Sequence, residues 1–300
     1  DGLKVAGGVR AQDIRAKTSN FIENQQAQIG NVYAMAEWKN KVLDAQVNGR
    51  YDQNSHADNG SAFDVILSKK LTKKSVAFVP QIVVSKKFRA PDFNELYWYP
   101  GGNPDLKSET GWSYSGGLKV IIQKEAQISI SSNYTHMDIE NMIQWVPDGW
   151  IWTVQNFNAA AIDWVKSEIE VKRGNHAVSL RHEFSENVFT GDDGTVGRTL
   201  YVPKHQFIGS LMAHVASVDL KLSLLVRDRV TVQPDDLLSG RTEFTMLNLS
   251  AARAFEVASS TFDLTIGIDN ILDQHMEFIQ FAPMPGRVFR VGIFWTMRPS

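Results

Sequence analysis

Apolar and polar residues alternate along most of this chain. A period of two is the geometry of an extended strand, whose successive side chains point to opposite faces. Phe262, Leu264, Ile266 and Ile268 interleave with Asp263, Thr265 and Gly267. Ala126, Ile128 and Ile130 alternate with Gln127, Ser129 and Ser131, and the pattern runs on to Tyr134. Leu220, Leu222, Leu224 and Val226 alternate with Lys221, Ser223 and Arg227, broken by Leu225. Helical periodicity is hard to find. The pattern predicts fourteen one-sided strands, at 3–10, 29–38, 42–52, 62–69, 76–86, 111–122, 126–137, 161–172, 176–186, 205–215, 219–230, 242–252, 261–270 and 287–297.

The joints between these strands alternate in length. Short ones fall near Lys39–Lys41, Lys70–Ser75, Gln123–Glu125, Arg173–Asn175 and Ala216–Val218, with a looser one at Arg253–Ser260. Long ones fall at Ala11–Gln28, Gln53–Ser61, Lys87–Thr110, Asp138–Ala160, Asn187–Lys204, Thr231–Arg241 and Ile271–Gly286. Strands of about ten residues, with tight turns at one rim and long loops at the other, are what an antiparallel transmembrane β-barrel requires, because each backbone group must pair within the sheet. The expected fold class is therefore all-β. Trp38, Tyr51, Trp112, Tyr134 and Trp295 fall near strand ends and fit interfacial girdles. The segment Ile162–Lys172 fits least well, since Asp163 marks one face and Lys166, Glu168 and Glu170 the other. It is expected to lie partly outside the lipid zone.

Composition removes several classes. With 43% hydrophobic residues and 21% charged, the chain has no run of the roughly 18 apolar residues that a spanning helix needs. Its 31 Lys and Arg and 33 Asp and Glu are interspersed, so no basic field collects nucleic acid. Zero cysteines exclude disulfide frameworks, Cys-based zinc sites, thiolate nucleophiles and a lipid-bearing N-terminal Cys within this chain. A start at Asp1-Gly2-Leu3 reads as a processed product or a piece of something longer.

No catalytic signature is present: there is no Gly-x-Ser-x-Gly elbow, no P-loop and no Gly-x-Gly-x-x-Gly, so the chain reads as a non-enzyme with no cofactor. The seven histidines (His56, His136, His176, His182, His205, His214 and His275) lack the spacing of a metal site and read as surface or rim residues. Asp192-Asp193-Gly194-Thr195 and Asp235-Asp236 could supply calcium oxygens, but Asp-Asp-Gly is also ordinary turn sequence, and the turn is preferred. No metal site is expected.

Phe88-Arg89-Ala90-Pro91, then Asn94-Glu95-Leu96-Tyr97 and Asn103-Pro104-Asp105-Leu106-Lys107 before Glu109, resemble two boxes of the TonB-dependent outer-membrane receptors. Further stretches follow in that family's order. After Asp138-Ile139-Glu140-Asn141-Met142-Ile143, Asn158 precedes Glu168 by ten residues, with Lys166 where the family usually has Gly. Then come Asn270-Ile271-Leu272-Asp273, Pro285-Gly286-Arg287 and an aromatic-rich last strand Val288–Trp295. The tail Thr296–Ser300 runs past the aromatic that normally ends such chains. The resemblance covers 76–297 well and 1–75 by pattern alone.

The resemblance implies a barrel of about 22 strands behind a plug that carries the energy-coupling segment, or TonB box. Numbered backward from the last strand, these fourteen are the ninth to twenty-second, and Lys87–Thr110 becomes the seventh outward loop, where the two boxes belong. Residues 1–300 then correspond to the C-terminal portion of the barrel, with the plug domain absent. The implied partners are outer-membrane lipid, TonB acting through that absent plug, and a bulky ligand, cobalamin or a ferric siderophore, taken up across a bacterial outer membrane. Heme-uptake members carry a histidine between the boxes, and Asp92–Gly102 contains none. Cobalamin is placed slightly ahead because the loops are moderate in length.

Outward-loop aromatics are the expected ligand contacts, since flat rings offer large area at low entropy cost. They are Tyr97, Trp98 and Tyr99 together, with Trp150 and Trp152 capping the loop Asp138–Ala160. Trp98 and Trp152 could equally be girdle residues. Arg89 is expected to pair with Asp92 or Glu95 rather than with ligand. Two other readings stay open: a plugless passive pore closed by fourteen strands, and a soluble structural or adhesion β-protein.

Overall fold

In the computed structural model of the chain, residues 2–191, 194, 196–230, 243–257, 259–279 and 282–297 are described. The first strands are β1 (Gly2–Ala16), β2 (Gln25–Lys39), β3 (Asp44–Asn54), β4 (Gly60–Ser68), β5 (Leu71–Lys73) and β6 (Val76–Arg89). One short helix, α1 (Phe93–Tyr97), follows. After it come β7 (Glu109–Gln123), β8 (Gln127–Asp148), β9 (Ile151–Arg173), β10 (His176–Thr190), β11 (Val196–Arg198), β12 (His205–Val215) and β13 (Val218–Arg227). The last are β14 (Phe244–Val257), β15 (Ser260–Asp269), β16 (Glu277–Ile279), β17 (Ala282–Pro283) and β18 (Val288–Met297).

All fourteen predicted strands are present, and each pairs antiparallel with its neighbour in the order β1-β2-β3-β4-β6-β7-β8-β9-β10-β12-β13-β14-β15-β18. The short β5 and β11 attach to β6 and β10, while β16 and β17 form a small pair of their own. This is the wall of a β-barrel. Among the described residues β1 and β18 are the two ends of the path, so the fourteen strands do not close on themselves as a self-contained pore would need.

Because the side-chain period is two, an in-register ladder sorts the wall into two faces. Leu211, Leu222, Leu249, Ile268 and Phe289 occupy one row across β12, β13, β14, β15 and β18. Val47, Val65, Val84 and Tyr114 make another across β3, β4, β6 and β7. The opposite face carries rows such as Asn48, Asp64, Ser85 and Ser113. In a membrane barrel the apolar face meets lipid and the polar face lines the lumen. Trp38, Tyr51, Trp112, Tyr134 and Trp295 all share the apolar parity through their partners Leu3, Val32, Lys86, Gly116 and Phe262, as girdle residues must.

The two faces of Ile162–Lys172 are those the alternation predicts. Those residues of β9 are laddered to both β8 and β10, and Lys166, Glu168 and Glu170 all project to the lumen, where Glu168 approaches Arg181 at 3.7 Å. Asp163 alone among the charges faces outward, held by Tyr134 and His136.

The expected long connections are also shorter than the alternation suggested. Asp138–Ala160 is not a loop: β8 and β9 stay paired from Gln127↔Lys172 up to Asp148↔Ile151, and Gly149, at φ +60, turns the tip. Alternation fades there because both sides of the hairpin meet other protein. Likewise β1 runs on to Ala16, and the looser short joint at Arg253–Ser260 narrows too, since β14 runs on to Val257, which pairs with Ser260. Thr231–Arg241, Asp192, Asp193, Thr195, Asp235 and Asp236 lie outside the described residues, as does 298–300 of the tail.

Candidate ligand-binding site

The buried apolar clusters sit at the long-loop end, not within the wall. In one, Met142, Val146, Phe157, Ala160, Phe189 and Leu200 pack together, joined by Ile139, Trp152 and Tyr201. In the other, Leu96 and Leu106 from the box region meet Ile143 and Val154 of the β8–β9 hairpin, with Tyr97 and Trp145 against them. Area removed from water is worth about 25 cal/mol per Å2, and these clusters therefore fasten a loop platform to the extended hairpin.

Arg89 holds the centre of that platform. It donates from Nε and Nη2 to Glu109 at 2.8 and 2.9 Å and from Nη1 to both oxygens of Glu95 at 2.9 Å. Hydrogen bonds to Glu109, and beyond them Glu95, push its pKa up, so the fork stays charged. Glu109 also accepts the Ile143 N–H at 2.7 Å, and Glu95 accepts the Asp92 N–H at 2.9 Å. Of the two expected partners Glu95 is realised. Asp92 instead caps α1 in a reciprocal capping box with Glu95. The pattern Asp92-x-x-Glu95 is the signal that could have revealed this helix.

The other box residues are structural too. Phe88 is buried against Gly60, where a side chain would collide with its ring. Pro91 is among the most deeply buried side chains, with Ala90 and Pro91 lining a cleft of about 410 Å3 beside Ile14, Ile29 and His56. His56 stands edge-on to Phe93 at 5.3 Å, so a histidine reaches the box from another loop, which the interval Asp92–Gly102 could not reveal. Asn103 accepts the Asp105 N–H at 3.0 Å around Pro104, and Leu106 is buried. Asn156 ties the hairpin to this turn, accepting from Lys107 N at 2.8 Å and donating to Lys107 O and Asn141 O. The motif residue Asn158, two positions on, is exposed, and Glu168 lies down the lumen wall.

At the far end of the chain the remaining motif residues form one knot. Asn270 is buried at φ +51, exchanges hydrogen bonds with Gln274, and takes its backbone partner from Asn248. Asp273 accepts the Arg287 N–H at 2.7 Å, Arg287 donates to Ile271 O, and Gly286 leaves space for the Asp273 carboxylate. Pro285 leads into that turn.

The five expected ligand contacts divide. Tyr97, Trp98 and Tyr99 line a cleft of about 460 Å3 with Ile22, Glu23, Gln25 and Pro104; Tyr99 is 66% exposed and Trp98 37%, whereas Tyr97 packs inward. The segment 17–24 holds this cleft through Tyr99 N to Asn20 O at 2.8 Å and a Phe21–Trp98 bridge. Gly101, at φ +118, lies against the Trp152 backbone, and its carbonyl accepts from Val154 N at 3.0 Å. Trp152 therefore belongs to the platform, facing Tyr201 at 5.9 Å in a second cleft of about 450 Å3 with Trp145. Trp150 stands fully exposed at the hairpin tip. Trp98 follows α1 in the connection to β7, and Trp152 lies near the start of β9 in the extended hairpin.

Cross-strand pairing also brings His182 to His205 at 3.1 Å, both beside Phe207 and Phe184. Their separation in sequence hid this. Among the described residues no group of three metal-ligating side chains is assembled, and no helix is long and apolar enough to cross a membrane.

Residues 4–271 match the family model for the TonB dependent receptor-like β-barrel. The vitamin B12 transporter BtuB of Vibrio vulnificus is 41% identical over 96 residues, 31% of this chain and 15% of that protein. BtuB of Photobacterium profundum is 23% identical over 219 residues, 67% of this chain and 32% of its own length. Among solved structures, the copper transporter OprC superposes with a TM-score of 0.73 at 14% identity, over 99% of this chain and 54% of that one. The FrpB iron transporter of Neisseria meningitidis gives 0.69 at 11%, covering 98% and 52%. The siderophore receptor PirA of Acinetobacter baumannii gives 0.67 at 15%, covering 93% and 46%. The chain spans about half the length of these structures, and less of the curated relatives.

Proposed function

This chain belongs to the TonB dependent receptor-like β-barrel family, and from that premise we propose that it forms the C-terminal portion of an outer-membrane receptor for active uptake of cobalamin. The observation that supports this ligand is the 41% identity to a vitamin B12 transporter over 96 residues, with the second curated relative bearing the same description. The chemistry is non-covalent. Trp98 and Tyr99 at the mouth of their cleft, and Trp145 and Trp152 at the second, offer flat faces to a bulky ring system. Arg89, spent on two carboxylates, positions the platform and does not contact ligand. Capture by the loops would be followed by passage along the polar lumen, opened by a plug coupled to TonB; those steps need parts of the protein beyond these residues.

The test is equilibrium binding of cyanocobalamin to the full-length protein in outer-membrane vesicles, with a ferric catecholate as competitor. Binding that the ferric complex does not displace supports the reading, and ferric-complex binding alone overturns the ligand. Replacing Trp98 and Tyr99 together by Ala is expected to weaken binding by about tenfold or more. An unchanged affinity in a folded double variant would retire the aromatic contacts.

A further inference from the structure

Charge at the short-turn rim is one-sided. Where β2 to β9 reach that rim, each acidic residue is already taken: Glu37 pairs with Lys39, Asp44 with Lys69 at 3.1 Å, Glu170 with Lys172 at 2.7 Å and Glu125 with Arg173 at 3.2 Å. Lys41, Lys70, Lys73, Lys74 and Lys124 are left over. All five are exposed, and among the described residues none of them enters an ion pair. The turn between β12 and β13, by contrast, is Ala216-Ser217 and carries no charge.

The five lysines stand on turns fastened side by side. Asn40 Oδ1 accepts the N–H groups of Val42 and Leu43, both at 2.7 Å, which shapes the β2–β3 turn that presents Lys41. Lys69 crosses from the next turn to Asp44 and to the Asn40 carbonyl. Between β5 and β6, Lys74 turns the chain at φ +54, and the Ser75 carbonyl accepts the Gln123 N–H at 2.7 Å, joining this turn to the one that holds Lys124. Register fixes direction. Lys73 pairs with Val76, and Val76, Ile122, Ile128 and Val171 form one outward row, so Lys73 shares the lipid face. Leu71 pairs with Phe78 on that same face and is 53% exposed.

We propose that these joined turns form a site for an anionic phospholipid headgroup, with the five lysines gathered around its phosphate and Leu71 and Phe78 against its acyl chains. The inference rests on the reading of the chain as part of an outer-membrane receptor, whose short turns lie at the periplasmic interface. Neighbouring ammonium groups without carboxylates repel one another, and an anion seated among them removes that cost. Lysine also suits this depth, since its stem lies along apolar surface while its head stays at the headgroup level. Each lysine beside a membrane surface favours acidic headgroups by about fivefold. An acidic segment of a periplasmic protein fits less well, because Leu71 and Lys73 face the lipid side of the wall.

The experiment is native mass spectrometry of the full-length protein, released from detergent in the presence of equal amounts of phosphatidylglycerol and phosphatidylethanolamine. The expected result is preferential retention of phosphatidylglycerol, weakened by about tenfold or more when Lys73→Gln and Lys74→Gln are combined. Lys17→Gln combined with Lys107→Gln, at two exposed lysines of the long-loop end, is expected to leave retention unchanged. Equal retention of the two lipids overturns the proposal, as does a Lys73, Lys74 variant that holds phosphatidylglycerol no worse than the Lys17, Lys107 variant. So does displacement of the lipid by an equal concentration of glycerol 1-phosphate, the mark of a bare phosphate site, or an acidic protein bound in place of lipid. Should the Lys73, Lys74 variant fail to assemble, judged by heat-modifiable gel migration, raising ammonium acetate from about 0.1 to about 1 M over the unsubstituted protein reads the same contact. Selective loss of phosphatidylglycerol then supports the site, and undiminished retention overturns it. Unselective lipid binding by a protein that still takes cyanocobalamin defeats this inference alone, whereas a protein that stays dispersed without detergent defeats the outer-membrane reading with it.

Discussion

At the residue scale, Arg89 shows how a motif recognised in sequence acquires a physical role. Its fork joins Glu95 of α1 to Glu109 at the start of β7, and Glu109 in turn holds the hairpin at Ile143. Arg89→Ala leaves two carboxylates facing each other without a cation. Local opening of the platform is expected to become easier by about 1–3 kcal/mol, read as faster amide exchange at Glu95 and Leu96 while amides of β13 keep their protection. Unchanged exchange at α1 would show that the apolar cluster alone holds the helix. The carboxylate Glu95 was legible as a partner from its nearness in sequence. Glu109 was not, because twenty residues of chain separate it from Arg89 and the ladder alone brings them together, as Arg89↔Glu109.

At the element scale, the β8–β9 hairpin is the feature that period-two reading understated. Its lower half alternates because one side meets lipid; its upper half, from Met142 to Phe157, is flanked by Leu96, Leu106 and Leu200 and loses that constraint. Phe157 and Phe189 lie with ring centroids 4.2 Å apart. Phe157→Ala is expected to destabilise the upper hairpin by about 3 kcal/mol, exposing the stretch around Gly149 to protease without unfolding the wall. Resistance equal to that of the unsubstituted protein would mean the ladder by itself supports the tip. The helix α1 escaped a period-based reading because five residues are too few to show a repeat; its capping box is local chemistry and was legible.

At the scale of the whole molecule, the wall's two faces make a paired prediction from adjacent leucines. Leu224 is on the lipid row with Gly209 and Leu247, while Leu225 is on the lumen row with Ile208 and Met246. Leu224→Arg is expected to cost about 2–4 kcal/mol of folding stability and Leu225→Arg far less, measured as the folded fraction by heat-modifiable migration. Equal losses would overturn the assignment of faces. By itself the sequence determined the strand count, the antiparallel order and the facing of the girdle aromatics, because an amphipathic strand one side of which meets lipid must alternate along its length. It also determined where the boxes fall. Only the tertiary structure decided that β8 and β9 continue as a long hairpin, that His182 meets His205, and that Arg89 holds Glu109. Those contacts join residues brought together by register across strands, and register is a property of the assembled sheet that no single strand's periodicity contains.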